Sequence, residues 1–321
     1  RKWWNPVTDT KNTEHYGTHY WDQNGKEITA NLTGSNSRVI MDRAIPFMKD
    51  SLKSKSPFFS VIWFHTPHLP VIAGPKYTKM YQSYSKYQQH YFGCITAMDE
   101  QIGRLRKTLK EAGAHRNTMI WFCSDNGPEG NESAPGKTGG FRGRKRSLYE
   151  GGVRVPSIIK FPNKLKSRVI DEPVMAIDWM PTFAELTNSK LSENKIDGKN
   201  IWPLLTGETH SSPHEKLYFY YRVNELHSIR MNDWKIHFTR TYRSLNGRPG
   251  GIDGIPVKYD MNVIEQNELY NLKNDPKELY NVYNEFPEIA KKMEDLGKKA
   301  RIELGDNLTG REGYDLRINK N

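Results

Sequence analysis

The stretch MIWFCSDNGPEG, residues 119–130, joins an apolar run to a polar turn and sets the fold of the region around it. Such a run is typical of a strand buried on both faces, as in parallel sheets. Upstream, residues 87–112 place apolar side chains on one helical face and end before Gly113, a common helix terminator. Another apolar run, PFFSVIWFH at 57–65, precedes that helix. Strand, helix and strand in this order predict a βαβ unit with parallel strands.

Downstream of this unit, the pattern predicts that the same sheet continues. A third strand is expected at 153–161 and a short fourth strand at 174–177, followed by Asp178 as the N-cap of a helix. We therefore predict an α/β domain in residues 1–210, with a mostly parallel sheet flanked by helices.

After residue 210 the composition changes, and aromatic or alternating segments are separated by turns. The segments 216–223, 227–238 and 267–272 have the pattern of short antiparallel strands, and 286–303 has that of a helix. Residues 211–321 are therefore predicted to form a smaller α+β domain with an antiparallel sheet.

The charge of the chain is strongly positive, with a formal net charge of +11. This balance indicates either a solvated basic surface or a partner rich in sulfate or phosphate. No helix-turn-helix, zinc-finger or RNA-binding pattern occurs, so nucleic acid is not the expected partner. No apolar run is long enough to predict a membrane span.

The two cysteines, Cys94 and Cys123, do not indicate a disulfide framework or a metal site. Each lies within an apolar pattern, so both are predicted to behave as small buried side chains.

Polar side chains follow two of the predicted strands at their carboxyl ends, where open α/β sheets bind ligands. His65 and His68 follow one strand, and Asp125 and Asn126 follow the other. A carboxylate beside an amide oxygen is a hard oxygen pair suited to Ca²⁺ or Mg²⁺. The alternative is a simple Asx turn, which the sequence Asp-Asn-Gly forms readily.

The segment GGFRGRKRSLYEGGVRVP, residues 139–156, carries the densest positive charge in the chain. It places Arg142, Arg144, Lys145 and Arg146 within five positions. Mutual repulsion would be relieved by an anion, which would also accept charge-assisted hydrogen bonds. A basic surface loop is the alternative. Together with the two pairs at the sheet edge, the loop predicts chemistry at a sulfuryl or phosphoryl centre.

Several motifs in the chain resemble those of the sulfatase family, within the alkaline-phosphatase superfamily. They follow the family's order over roughly residues 55–311 and are FHTPHLP (64–70), YFGCITAMDEQIGRL (91–105), SDNG (124–127), RGRKRSLYEGGVRVP (142–156), DWMPTFAEL (178–186), ELYNLKNDPKEL (268–279) and LGDNLTGR (304–311). The resemblance implies an alkaline-phosphatase-like fold, incomplete at its N-terminus, and hydrolysis of sulfate esters.

The resemblance implies a catalytic core around the SDNG motif. Asp125 and Asn126 would be ligands of one divalent cation, Ca²⁺ in most of the family, with Mg²⁺ as the alternative. Lys145 would contact the sulfate and the leaving oxygen. Asn126 favours a one-metal sulfatase, because two-metal phosphatases of the superfamily commonly have His at that position.

Substrate contacts are also implied by the resemblance. His65 would hydrogen-bond the sulfate or protonate the leaving alcohol, and His68 would line a substrate subsite. Arg142 and Arg144 beside Lys145 favour a polyanionic glycan over a small aryl ester.

Two features of the family are not found in these residues. Sulfatases use a formylglycine made from Cys or Ser in a C/S-x-P-x-R motif, and they carry an Asp-Asp pair on the first strand. Neither the motif nor an Asp-Asp pair occurs in the chain. We therefore expect an N-terminal segment of the same protein to supply them, and we expect this fragment alone to be inactive.

The predicted function is that of a sulfatase acting on a sulfated carbohydrate or an aryl sulfate. The alternatives are a phosphomonoester or phosphonate-ester hydrolase of the same superfamily, and a non-catalytic protein that binds anionic glycans. A periplasmic or secreted location is expected from the family alone.

Overall fold

The computed structural model describes residues 20–68, 71–129, 135–245, 251–252, 255–256 and 258–317. These residues form two compact units. The first contains the described residues up to Ile120 and short pieces within 129–137 and 245–259, and the second contains 121–128, 138–244 and 260–317. The predicted domain division after residue 210 remains a prediction.

The helices differ widely in length, and the longest is α3. Within the described ranges they are α1 Asn36–Lys53, α2 Pro75–Thr78, α3 Lys86–Glu111, α4 Glu150–Val153, α5 Trp179–Thr187, α6 Trp202–Thr206 and α7 Pro287–Leu304. None of the helices in these ranges is long and apolar enough to cross a membrane.

The strands are short and are concentrated in the C-terminal third. They are β1 Tyr20–Trp21, β2 Glu27–Ile28, β3 Ile120–Cys123, β4 Ser157–Lys160, β5 Lys216–Tyr221, β6 Glu225–Met231, β7 Trp234–His237, β8 Arg240–Ser244, β9 Gly251–Ile252, β10 Ile255–Pro256, β11 Asp260–Ile264 and β12 Glu268–Asn271. The largest sheet has the order β12-β7-β6-β5, and β3 pairs with β4.

Helix α3 confirms the predicted helix to within one residue at each end. The Ser85 side chain accepts a hydrogen bond from the backbone N–H of Gln88, and the Gln88 side chain accepts one from the Ser85 backbone, which forms a capping box. At the other end Gly113 adopts a positive φ of 69° and donates to the Lys110 carbonyl, as the sequence predicted. The thiol of Cys94 on this helix is buried, and burial raises its pKa to about 12.

The core of the first unit lies between α1 and α3. Its buried side chains are Met41, Ile45, Met48, Leu105 and Leu109. Partly buried apolar side chains from nearby segments of the same polypeptide pack against them. Apolar positions that recur on one face of each helix therefore meet in one layer.

The apolar segment 57–65 does not form the predicted strand. Its even-numbered side chains Phe58, Ile62 and Phe64 pack against the α1–α3 core, whereas the odd-numbered Phe59 and Trp63 are 67% and 81% exposed. The prediction was wrong because apolar, β-favouring residues create a tendency to pair, and pairing also needs a neighbouring strand.

Strands β3 and β4 confirm two of the predicted strands, whereas the predicted strand at 174–177 was wrong. That stretch leads into a 3-10 helix, Ala176–Asp178. The buried Asp178 carboxylate does not cap α5 and instead accepts hydrogen bonds at 2.8 Å from the Met175 and Lys199 N–H groups. It also pairs with His214 Nε2 at 2.8 Å, so it connects three segments of chain.

The C-terminal sheet and α7 confirm the predicted antiparallel sheet and helix. Ile236 of β7 lies directly opposite Ile229 of β6 and Leu269 of β12, so one apolar row crosses three strands. Met293 of α7 is completely buried against this row. Because side chains alternate between faces of a strand, Lys235 and His237 of β7 point to the other face.

Candidate functional site

The SDNG motif forms a tight loop at the end of β3. Ser124 Oγ donates to the Asn126 carbonyl at 2.9 Å, and Asn126 Nδ2 donates to the Gly127 carbonyl at 2.9 Å. The Asn126 side-chain oxygen is left as the group that can accept or ligate. The Asp125 carboxylate is exposed and has no hydrogen-bond or ion-pair partner in the described ranges. Both predicted metal-binding residues therefore present an oxygen that the loop itself does not use.

Gly127 fixes this loop against α4. Its N–H donates to the Gly152 carbonyl at 2.8 Å, and a Cβ at Gly127 would lie 1.9 Å from the Gly151 carbonyl oxygen. No other residue type can approach the backbone this closely. The glycine of SDNG is therefore required by packing.

The basic loop meets the SDNG loop through its backbone. The Lys145 N–H donates to the carbonyl of Pro128 at 3.1 Å, and the Gly151 N–H donates to the Arg142 carbonyl at 2.7 Å. Gly143 has a φ of +77°, and a Cβ there would lie 2.3 Å from Ser147 Oγ. The structure thus brings Lys145 next to the loop of the two predicted metal ligands, with the Lys145 side chain half-buried.

Ser147 stabilises the tight turn that carries the cations. Its hydroxyl accepts from the Arg144 N–H at 3.1 Å and donates to the Arg144 carbonyl at 2.8 Å. Arg146 and Leu148 adopt positive φ values of 83° and 58°. Non-glycine residues seldom adopt this backbone region, and such strain is frequent at functional sites.

Arg142 is held by Tyr149 of its own loop and by Tyr270 and Glu278 of the C-terminal part. Its Nη1 donates to Tyr270 Oη at 2.7 Å and to the Glu278 carbonyl at 3.0 Å, and its guanidinium lies 4.1 Å from the centre of the Tyr149 ring. Tyr149 Oη donates to Glu268 at 2.5 Å. Burial is the main cause that raises the pKa of Tyr149, and this hydrogen bond is the second. These contacts give Arg142 a structural role, and its role as a substrate contact remains a prediction.

A buried cluster of charged side chains next to the basic loop was not predicted from the sequence. Lys235 Nζ lies 2.8 Å from Glu150 Oε1 and 3.3 Å from Glu278 Oε1, and His237 Nε2 lies 2.7 Å from the same Glu278 oxygen. These side chains are at most 5% exposed. The available signal was the alternation of Lys and His with apolar residues in WKIH, 234–237, which alone indicates only an amphipathic strand.

Burial keeps the imidazole of this cluster neutral. The pKa of His237 lies well below its usual value, chiefly through burial and then through Lys235 and Arg240. Neutral His237 can accept at Nδ1 from Arg240 Nη2, 3.0 Å away, and donate at Nε2 to Glu278. Burial also lowers the pKa of Arg240 to about 10.

The predicted histidine pair lies in the first unit, whereas Asp125 and Lys145 lie in the second. His65 is half-buried and His68 is exposed, and the His68 N–H donates to the His65 carbonyl at 2.7 Å. The chain therefore makes a compact turn at HTPH. The predicted contacts of both histidines with substrate remain predictions.

Family models match most of the chain. The model of the sulfatase family matches residues 2–189, and that of the C-terminal region of aryl-sulfatase matches 212–312. A model of the N-sulphoglucosamine sulphohydrolase C-terminal region matches 137–246. The chain belongs to the sulfatase family.

Individual sulfatases are similar over large parts of the chain. Mouse steryl-sulfatase is 32% identical over 232 residues, 69% of this chain and 35% of that protein. Arylsulfatase H of the dog is 31% identical over 286 residues, 83% of this chain and 50% of that protein. The chain thus spans no more than half the length of either relative.

Solved structures show the fold. Ps i-CgsB superposes with a TM-score of 0.71 at 26% identity, over 94% of this chain and 63% of that one. The structure of its complex with k-i-k-neocarrahexaose superposes with a TM-score of 0.69 at 27% identity, over 86% of this chain and 56% of that one. A phosphonate monoester hydrolase shares the fold at 18% identity with a TM-score of 0.54. The predicted alkaline-phosphatase-like fold with a C-terminal antiparallel sheet is confirmed.

Members of the sulfatase family generally use a divalent metal and a formylglycine. Asp125 and Asn126 supply two hard oxygens, which fit Ca²⁺ or Mg²⁺ in kind, although calcium takes roughly six to eight ligands. No cluster of three or more His, Cys, Asp or Glu side chains suited to a metal occurs in the described part of the chain. These two residues therefore fit part of a metal shell.

Proposed function

We propose that this chain carries the metal-binding and sulfate-binding loops of a sulfuric ester hydrolase that acts on a sulfated carbohydrate or an aryl sulfate. The observation that carries the proposal is that, in a chain of the sulfatase family, the SDNG loop and the basic loop are hydrogen-bonded to each other. The loop of Asp125 and Asn126 is hydrogen-bonded to the loop of Lys145 through Gly127 and Pro128.

In this proposal each side chain acts where charge develops during cleavage of the S–O bond. Asp125 and Asn126 would hold a divalent cation, Ca²⁺ in our proposal, which when bound would polarise the sulfuryl oxygens. The Lys145 ammonium would donate hydrogen bonds to the sulfate and to the leaving oxygen as it becomes negative. His65 would protonate that oxygen or hydrogen-bond the sulfate, and Arg144 would orient the anion.

Other parts of the proposal rest on the family. The nucleophile would be a formylglycine contributed by an upstream segment of the same protein, together with further metal ligands. His68 would line a glycan subsite. The net charge of +11 and a structural relative solved with k-i-k-neocarrahexaose favour an anionic glycan over a small aryl ester. A periplasmic or secreted location is part of the same proposal.

The first test uses the complete protein and compares release of sulfate from an aryl sulfate and a sulfated oligosaccharide with release of phosphate from an aryl phosphate. We expect sulfate release to exceed phosphate release. Faster phosphate release would instead support the phosphatase alternative, and binding without turnover would support a non-catalytic glycan-binding protein.

Metal dependence provides the second test. A chelator should abolish sulfate release and added Ca²⁺ should restore it, whereas the Asp125→Ala variant should be inactive with or without added Ca²⁺ because one ligand is lost. Asp171→Ala, at another exposed aspartate, is the matched control and should respond as the wild type does. A fully active Asp125→Ala variant with the wild-type response to chelator would show that the SDNG loop is only a turn.

A further inference from the structure

The buried charges of β7 lie behind the proposed active-site loops and connect them to the C-terminal sheet. Lys235 and His237 point away from the apolar row that Ile236 forms against α7. Both contact carboxylates from other parts of the chain, Glu150 at the start of α4 and Glu278 after β12. The cluster therefore joins the sheet to the helix that follows the basic loop.

Glu278 is bound to Glu150 in two independent ways. Its Oε2 accepts the backbone N–H of Glu150 at 2.5 Å, and its Oε1 shares the Lys235 ammonium with the Glu150 carboxylate. His237 donates to that same Oε1 at 2.7 Å. The Glu278 carboxylate therefore ties the start of α4 to Lys235 and His237 of β7 by directional contacts.

The residues after Glu150 transmit this position to both loops, because nothing larger than hydrogen fits at them. A Cβ on Gly151 would lie 2.3–2.7 Å from carbonyl oxygens of residues 141–143, and one on Gly152 would lie 2.5 Å from the Arg144 carbonyl. The Gly151 carbonyl in turn packs against Gly127. A displacement of α4 by a few tenths of an ångström must therefore move the basic loop and the SDNG loop.

We propose that Lys235 and Glu278 are positioning residues for the reaction, which set the places of Lys145 and Asp125 through α4. This inference rests on the proposed function. Lys235 and Glu278 touch neither reacting group, and they lie 85 and 128 residues from Glu150 in the sequence. The C-terminal sheet thus contributes to catalysis although it supplies none of the proposed catalytic side chains.

An ion cluster suits this role better than an apolar contact of equal volume. Apolar contacts tolerate sliding, whereas hydrogen bonds among fully buried charges lose much of their strength when geometry changes. Removal of the Lys235 ammonium would leave two carboxylates facing each other without a cation between them. Their repulsion would push Glu150, and with it α4, away from β7.

The test is the Lys235→Met variant of the complete protein, because Met has a similar length without the charge. We expect kcat on an aryl sulfate to fall at least about tenfold, while KM changes less than about twofold. The matched control is Leu269→Ala, which opens the apolar row on the other face of the same sheet. It should lower the melting temperature at least as much and leave kcat nearly unchanged at a temperature where both variants are folded.

A second readout does not depend on turnover. Hydrogen exchange should speed up at the amides of Gly127, Lys145 and Gly151 in Lys235→Met, while the amides of Ile229 and Ile236 keep their protection. If the complete wild-type protein releases no sulfate, the proposed function fails, and this exchange pattern still decides whether the cluster positions the loops.

Two results would overturn the inference. One is a folded Lys235→Met variant with wild-type kcat and unchanged exchange at Gly127 and Lys145. The other is an equal loss of kcat in Lys235→Met and Leu269→Ala. That result would mean that the loss of kcat follows from lower stability and not from the position of the loops. Should Lys235→Met not fold, Glu278→Gln decides by the same two criteria, because Gln can still accept the Glu150 N–H while its NH2 group, a donor, cannot accept from Lys235 or His237.

Discussion

The second unit contains two groups of charged side chains that meet at α4 and are built in opposite ways. In the active-site loops, Asp125 is exposed and Lys145 is half-buried, and each loop is fixed by its backbone. In the cluster behind them, Glu150, Lys235 and Glu278 are buried and are fixed by their side chains. The first arrangement holds each loop through its backbone, whereas the second uses charged side chains to hold the fold.

This difference predicts where the effect of a substitution should appear. A loop whose backbone is held by glycine contacts and carbonyl hydrogen bonds can lose a charged side chain without losing its shape. A buried ion cluster cannot, because removal of one partner leaves an uncompensated charge in a region of low dielectric. Substitutions in the loops should therefore reduce turnover, and those in the cluster should also reduce stability.

The largest expected effect is the loss of turnover in Lys145→Ala. In the complete protein kcat should fall by about 10²–10³, because the donor to the leaving oxygen disappears. The melting temperature should shift by less than about 2 °C, since Ala keeps the backbone hydrogen bond to Pro128. Steady-state kinetics and calorimetry would measure both, with the exposed Lys164→Ala as control. Unchanged turnover would remove Lys145 from the site.

Arg142 tests the difference between the two groups of charges. Its position in the sequence places it in the basic loop, whereas its side chain contacts Tyr149, Tyr270 and the Glu278 carbonyl. Arg142→Lys keeps the charge and loses the planar stack on Tyr149 and the paired donation to Tyr270 and the Glu278 carbonyl. We expect the free energy of unfolding to fall by about 1–3 kcal/mol with KM nearly unchanged. Urea unfolding and steady-state kinetics would measure these quantities.

The contrary result for Arg142 is also informative. A KM that rises tenfold or more at unchanged stability would confirm the role as a substrate contact that the sequence predicted. Arg144→Lys is the natural companion variant, because Arg144 lies two positions along the same loop.

The sequence predicted the loops of the site better than the contacts that hold them. Asp125, Asn126 and Lys145 stand in recognisable motifs, and the structure brings their loops together. The closeness of Gly127 to Gly151 was not predictable, because it depends on the path of two backbones and not on residue type. Motifs thus identify the groups that could react, whereas backbone packing determines their separation.

The sequence was weakest where partners are far apart along the chain. Segment 57–65 has the composition of a strand and did not become one, because composition does not supply a pairing partner. Lys235 and His237 have the pattern of an ordinary amphipathic strand, and only the fold brings Glu150 and Glu278 to them. Helix α3 was predicted well because its periodicity and its Gly113 end are local signals.

The smallest expected effect concerns His227, a buried histidine outside the cluster. Its Nε2 lies 2.9 Å from Glu225 Oε2, and burial, opposed in part by that carboxylate, lowers its pKa to about 4. A histidine in an unfolded chain has a pKa of about 6.5. Between about pH 6.5 and 4, therefore, the unfolded state binds a proton that the folded state does not. Above that window His227 does not change the free energy of unfolding. Within the window the free energy of unfolding decreases as the pH is lowered.

His227→Gln tests this, because Gln keeps a donor for Glu225 and does not titrate. The wild-type free energy of unfolding should fall more steeply than that of the variant between pH 6.5 and 4, by up to about 1.4 kcal/mol per pH unit. Urea unfolding at several pH values would give both slopes, and His210→Gln, at an exposed histidine, should keep the wild-type slope. Identical slopes for wild type and His227→Gln would mean that water reaches this imidazole, and that the contrast between buried and exposed charge is confined to the Lys235 cluster.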